Sequence, residues 1–364
     1  LNVQIGGMLV DPFTPLFIFS ILLTFGALIL FIRRLQVEGE VSLSEFAAMF
    51  THGNPLAAME SLIRYNRLID ERSTVLTTER MGQTHSALTV DEILDALKDP
   101  RFNVRFEAII SIARTSPDSR LVKALSDILD GTELSLSVIA AWALGRMGDD
   151  SALPPLRNGL ESHYRSIVAH CARALGTLGD QTVAGLLLER LKAETDKGLQ
   201  IAYSSALGQL HYADALETIL GVLEATENDG ARMELALAVV RITGEERPFI
   251  RLVRNARRDS STTAAREVTA IKRRLGDWLT DEQKIAFDQC AHEFARDAIA
   301  QGAVQLAPLL ELLAERGSPL CQRVLMTCAA KLRELGDAHP EYWILALAIV
   351  RTILEGIKDE LRDS

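Results

Sequence analysis

Ala141-Trp142-Ala143-Leu144-Gly145-Arg146-Met147-Gly148-Asp149 returns as Ala172-Arg173-Ala174-Leu175-Gly176-Thr177-Leu178-Gly179-Asp180, and again in part as Ser205-Ala206-Leu207-Gly208-Gln209-Leu210. Working outward, the apolar column Ile112, Leu144, Leu175, Leu207, Val240 advances in steps of 32, 31, 32 and 33 residues, with Ala113, Gly145, Gly176 and Gly208 beside it. Text that recurs about every thirty residues signals stacked supersecondary units, each unable to bury its apolar faces alone.

The clearest unit shows what is repeated. Ile167, Val168, Cys171, Ala172 and Leu175 form one helical stripe, so a helix is expected from about Arg165 to Leu178. Gly179 suits a left-handed C-cap, and Asp180 suits capping of the next helix, which carries Val183, Leu186, Leu187 and Leu191. Small residues at Ala141 and Ala172 permit close helix approach. Their expected equivalents, Ser204 and Leu237, weaken that rule downstream. Arg80-Met81-Gly82 echoes Arg146-Met147-Gly148 and extends the array toward the N-terminus.

With Asp99-Pro100-Arg101-Phe102-Asn103-Val104-Arg105 at the start of one unit, and Ala-Leu-Gly-x-x-Gly-Asp at 143–149 and 174–180, the chain resembles the HEAT family, in the short variety also found in phycobilisome-lyase-like proteins. The resemblance is clear over residues 65 to 255 and implies a right-handed, all-α solenoid. It says little of function, because such solenoids host many roles.

The chain has 364 residues and a net charge of −10, which argues against general nucleic-acid binding. Cys171, Cys290, Cys321 and Cys328 form no C-x-x-C pair and read as ordinary thiols of a reducing compartment.

Phe13 to Ile32 is a run of twenty residues without a charge, followed at once by Arg33-Arg34. At about 1.5 Å per residue it spans roughly 30 Å, the hydrocarbon thickness of a bilayer. A cleaved signal peptide needs its basic residues on the other side. A transmembrane helix over 13–32 is expected, with the following end cytoplasmic by the positive-inside rule. Gly6-Gly7-Met8-Leu9-Val10-Asp11, the apolar run and Phe31-Ile32-Arg33-Arg34-Leu35 together resemble the last membrane helix of a major facilitator transporter. That resemblance covers under forty residues and brings over no transport residue. It implies that Leu1–Val10 is the tail of a preceding membrane helix and that several more lie upstream of Leu1.

The expected organisation is a membrane segment at 1–35, a linker at 36–62, HEAT-like repeats over 63–258, and divergent helices ending in a cap over 259–364. The linker carries a short amphipathic helix at Phe46, Met49 and Phe50, suited to the membrane surface or to the first repeat. Arg257 to Thr263 reads as a longer loop. Helices are then expected near 263–275, 281–301, 305–315 and 319–335. A last one, from Tyr342 to Ile357, has a stripe of Trp343, Leu347, Val350 and Leu354.

No motif for catalysis, cofactor or metal stands out: there is no H-E-x-x-H, G-x-S-x-G, P-loop or G-x-G-x-x-G. His163 and His170 can share a helix side, yet no carboxylate at ligand spacing joins them. The one local reversal of charge is Arg247, Arg251, Arg254 and Arg258, on a single helix face, with Arg257, Arg266 and Lys272-Arg273-Arg274 nearby. This face is either solvated or a contact for an anionic protein or for lipid headgroups. The sequence therefore points to a non-enzymatic, membrane-tethered cytoplasmic solenoid. It would bind a protein partner or the cytoplasmic face of its own transporter. The rivals are a single-pass anchored scaffold and a chaperone or enzyme of the bilin-lyase kind.

Overall fold

The computed structural model describes residues 3–5, 8–10, 19–24, 26, 53–65, 67 and 70–363. Where the tail of a membrane helix is expected over Leu1–Val10, the described residues are strands. Val3–Ile5 (β1) and Met8–Val10 (β2) pair antiparallel, with Val3 opposite Val10 and Ile5 opposite Met8. The two residues that separate them are Gly6 and Gly7. Within the expected span at 13–32, residues 19–24 and 26 are described and helical, and the Thr24 hydroxyl donates to the Ser20 carbonyl at 2.7 Å. The rest of that span, Arg33-Arg34 and the amphipathic segment around Phe46 to Phe50 lie outside the described residues. Among the described residues no helix is long and apolar enough to cross a membrane.

The repeats begin with α1 (Pro55–Tyr65), which packs on α2 (Glu71–Gln83). Next come α3 (Val90–Ala96), α4 (Phe102–Ile112), α5 (Ser119–Leu129), α6 (Leu134–Met147), α7 (Leu153–Gly159), α8 (Arg165–Leu178), α9 (Ala184–Ala193), α10 (Lys197–Gln209), α11 (Leu216–Ala225) and α12 (Asp229–Thr243). From α2 to α12 the even-numbered helices stack on one another in sequence order. Each odd-numbered helix from α3 to α11 packs on the even-numbered helix after it. The outcome is a helical solenoid of two layers. Gly148 and Gly179 end α6 and α8 at φ 72 and 77, the left-handed cap that the sequence implies. Asp180 is a cap as expected, but of a single 3-10 turn, Gln181–Val183, that leads into α9.

The column Ile112, Leu144, Leu175 and Leu207 is fully buried. The closest helix approach lies beside it, one turn after Ala141 and Ala172. A Cβ added at Gly145 would sit 2.7 Å from the Ala174 Cα; at Gly176, 2.8 Å from the Ala206 Cα; at Gly208, 2.7 Å from the Ala238 Cα. Each Ala-Leu-Gly thus inserts its Leu into the core and seats its Gly on the Ala of the next unit. This contact corrects the register of the last unit. Ala238 faces Gly208, so the partner of Leu207 is Val239 rather than Val240, and the partner of Ser204 is Ala236, fully buried, rather than Leu237. The small-residue column therefore runs Ala141, Ala172, Ser204 and Ala236, with Ile109 in its place one unit earlier. The echo at Arg80-Met81-Gly82 is also out of register by three: Gly82 meets the Ser111 backbone as Gly145 meets Ala174, and Met81, fully buried, takes the place of Leu144.

After α12 come α13 (Glu246–Ala256), α14 (Ser260–Leu275), α15 (Asp281–Ala295), α16 (Ile299–Ala314), α17 (Pro319–Leu335) and α18 (Glu341–Asp363). The longer loop expected at 257–263 is short, because Asp259 caps α14 by accepting the Thr262 N–H at 2.9 Å. The helix expected over 281–301 is two helices, broken where Asp297 adopts φ 62. Helices α14 to α17 pack each on the next, and α18 touches α12, α13, α14, α16 and α17. Instead of burying a stripe, α18 is buried on all sides from Tyr342 to Val350. Its first residue, Glu341, meets Arg232 of α12 at 2.5 Å with both side chains 3% exposed, while α17 returns to α11 through Arg323 and Glu217 at 2.5 Å.

Candidate partner-binding surface

One helix turn before Trp142, and at the same place in every unit, stands a second apolar column: Val75, Phe106, Val138, Ala169, Ile201 and Met233. All six are half-buried, and Val75, Phe106, Val138, Ala169 and Met233 pack on the core. Trp142, 40% exposed, rises beside this seam, and Ile110 and Leu237 occupy its position in other units. Phe102, 43% exposed, stacks on Phe106 with ring centroids 5.9 Å apart. The even-numbered helices therefore bury one apolar stripe inward and present a narrower one outward. A continuous outward stripe is unusual on a surface helix, whose solvent face is ordinarily polar. The expected core stripe of α8 leaves Ala169 out. In the sequence the seam is marked only by a period near thirty-two on the opposite side of each helix.

Ion pairs border the seam. The Arg165 guanidinium reaches Asp196 at 3.0 Å. Arg173 crosses over α10 to Glu234 at 2.9 Å, enclosing a notch of about 350 Å³ floored by Ala169, Leu199 and Ile201. Deeper in the repeats, Arg157 binds Asp180 at 2.7 Å and holds its carboxyl below the usual carboxylate range. Arrangements of this kind bind by apolar burial with charged borders. Burial pushes the Cys171 and Cys290 thiols up to about 12, and all four cysteines are buried and unpaired. His163 is exposed, and the Nδ1 of His170 lies 2.8 Å from its own helix's Ser166 carbonyl. Among the described residues no group of three or more His, Cys, Asp or Glu could hold a metal ion.

The structure brings Arg247, Arg251, Arg254 and Arg258 onto one exposed flank, the first three on α13 and the last just after it. The opposite side of α13 buries Pro248, Phe249 and Leu252. Among the described residues these four arginines form no ion pair within 4.0 Å, whereas Arg105, Arg120, Arg157, Arg165, Arg173 and Arg190 of the repeats are all paired.

A two-layer helical stack with an apolar seam defines the class: an α-solenoid of the interaction or scaffold kind. Within it, residues 133–203 match the family model of HEAT repeats, which is the stretch carrying the two complete Ala-Leu-Gly-x-x-Gly-Asp motifs. Over that stretch the chain is similar to HEAT repeats, and the described helices form a two-layer helical solenoid. The match bears on neither the lyase-like nor the transporter-like resemblance. No curated protein matches the chain.

Proposed function

We propose that this chain is a non-enzymatic scaffold, tethered to a membrane with its repeats in the cytoplasm, whose seam binds an apolar segment of a protein partner. The observation that carries the reading is the seam, a partly exposed apolar residue at the same position of six successive units, with the exposed Trp142 one helix turn after Val138. At about 25 cal/mol per Å² of apolar surface, covering one half-exposed large side chain contributes on the order of 1–2 kcal/mol, so affinity would come from several units engaged together. Aromatic anchors of this kind dominate interfaces.

The tether rests on the uncharged run at 13–32 and its Arg33-Arg34 flank. It is supported by Phe19, Ile21, Leu22 and Leu23, which are 55–65% exposed, and by α1, where Leu56, Met59 and Ile63 make an exposed apolar stripe. In this reading the solenoid is the cytoplasmic end of a major-facilitator-type transporter, and the arginine face of α13 meets an anionic partner.

A photo-reactive residue placed at Trp142 or Val138 of the full chain is expected to crosslink one partner in cells, and Trp142→Asp to abolish the adduct made from Val138. The same probe at Leu186, equally exposed on α9, should give none. Equal labelling at all three positions overturns the seam. Release of the full chain from membranes by alkaline carbonate overturns the tether. A start codon within a few residues of Leu1 leaves a single-pass scaffold and removes the transporter.

A further inference from the structure

Between α14 and α15 lies a surface groove of about 500 Å³. Its α14 wall is the stripe Thr262, Arg266, Thr269, Arg273, in which hydroxyls and guanidinium groups alternate on one helix face. The α15 wall supplies His292 and Asp288, and the Asp288 carboxylate is already held by Lys272 at 2.6 Å. The floor is made of alanines, and between the two arginines lies only Thr269, whose hydroxyl donates to the Ala265 carbonyl at 2.8 Å. Arg266 and Arg273 are exposed and, among the described residues, form no ion pair within 4.0 Å, in a chain whose net charge is −10.

We infer that this groove binds a phosphate-bearing small molecule or headgroup. Seven residues of helix separate the two guanidinium groups by about 10 Å along the axis, a spacing their long side chains close onto one polyanion or match to two phosphates. The planar guanidinium fork suits phosphate oxygens, and the Thr262 hydroxyl and His292 imidazole complete such a seat. No Phe, Tyr or Trp lines the groove, so its recognition rests on charge and hydrogen bonding to phosphate rather than on a large stacking platform. The site stands apart from the α13 face and depends neither on the seam nor on the tether.

The test is calorimetric titration of the detergent-solubilised full chain with inorganic pyrophosphate. Binding is expected, weakening as salt rises, and falling at least tenfold in Arg266→Ala/Arg273→Ala. Lys123→Ala/Lys192→Ala, on α5 and α9, should leave it unchanged, and Arg266→Lys/Arg273→Lys should retain part of it. All these positions are exposed, and unaltered thermal melting shows that the fold is kept. Phosphatidylcholine vesicles with and without a phosphoinositide separate the sources. Capture that needs the phosphoinositide and is displaced by pyrophosphate assigns a lipid headgroup, whereas pyrophosphate binding without capture assigns a free phosphate. Absence of pyrophosphate binding, binding indifferent to the double alanine variant, or vesicle capture that pyrophosphate does not displace overturns the inference.

Discussion

At the scale of single residues, the solenoid is spaced by what a glycine leaves out. Gly145, Gly176 and Gly208 let one helix backbone rest on the next, and a methyl group at any of them meets backbone that has no freedom to turn aside. Gly208→Ala is expected to cost about 1–3 kcal/mol, the usual range for overpacking. Gly221 sits inside α11 with nothing within 4 Å of an added Cβ. There the same substitution should stabilise by about 0.5–1 kcal/mol through helix propensity. Denaturant titration of the two variants should move the midpoints in opposite directions; equal shifts would contradict the close-contact account. Where the other units place Gly148 and Gly179 in the left-handed region, His85 and His211 take the corresponding position at φ 50 and 52. No glycine pattern in the sequence marks these two units as ending the same way.

At the scale of elements, short polar ties fix how each helix pair meets the next. Asp180 caps the turn that opens α9, accepting the Thr182 N–H at 3.2 Å, and binds Arg157 of α7 across the unit boundary. Its side chain is 2% exposed, while that of Arg157 is 41% exposed. The Arg157 guanidinium lowers the carboxyl's folded pKa below the ordinary value near 3.9. The tie therefore stabilises fully above the unfolded pKa and fades as pH falls through the lower folded value. Asp180→Asn should cost about 1–2 kcal/mol at pH 7, discounted for the solvent-facing arginine. The gap between variant and parent should narrow once pH drops below about 4. A gap that persists unchanged at pH 2 would mean that packing, not charge, carries the tie.

At the scale of the molecule, the C-terminal helices close the array around α18. Arg232 is held by Glu341, by the Leu223 carbonyl at 2.9 Å and by the Thr226 carbonyl at 2.5 Å, and it lies 5.4 Å from the Tyr342 ring centroid. Removing one member strands the other in a dry place. Arg232→Met is expected to cost about 3–5 kcal/mol, and Arg232→Met/Glu341→Leu to regain most of it. Because repeats couple chiefly to their neighbours, amide exchange in the single variant should rise in α14 to α18 and stay slow in α4 to α8. A uniform rise would show the molecule to unfold as one cooperative block.

The amino-acid sequence by itself determined that the chain is helical, that it repeats near every thirty residues, and that Leu144, Leu175 and Leu207 are core. Each of these comes from local spacing, since a helix writes its buried side into the chain every three or four residues. Only the tertiary structure decided the register of the last unit, because Val239 and Val240 are both apolar and the choice depends on which residue Gly208 touches. The outward seam was decided in the same way: Ala169 and Ile201 are unremarkable alone and become a surface only when the helices stand side by side. The central place of α18 rests on Arg232 and Glu341, which are 109 residues apart. Periodicity shows that a face must be covered; what covers it is settled by packing between residues that the sequence keeps far apart.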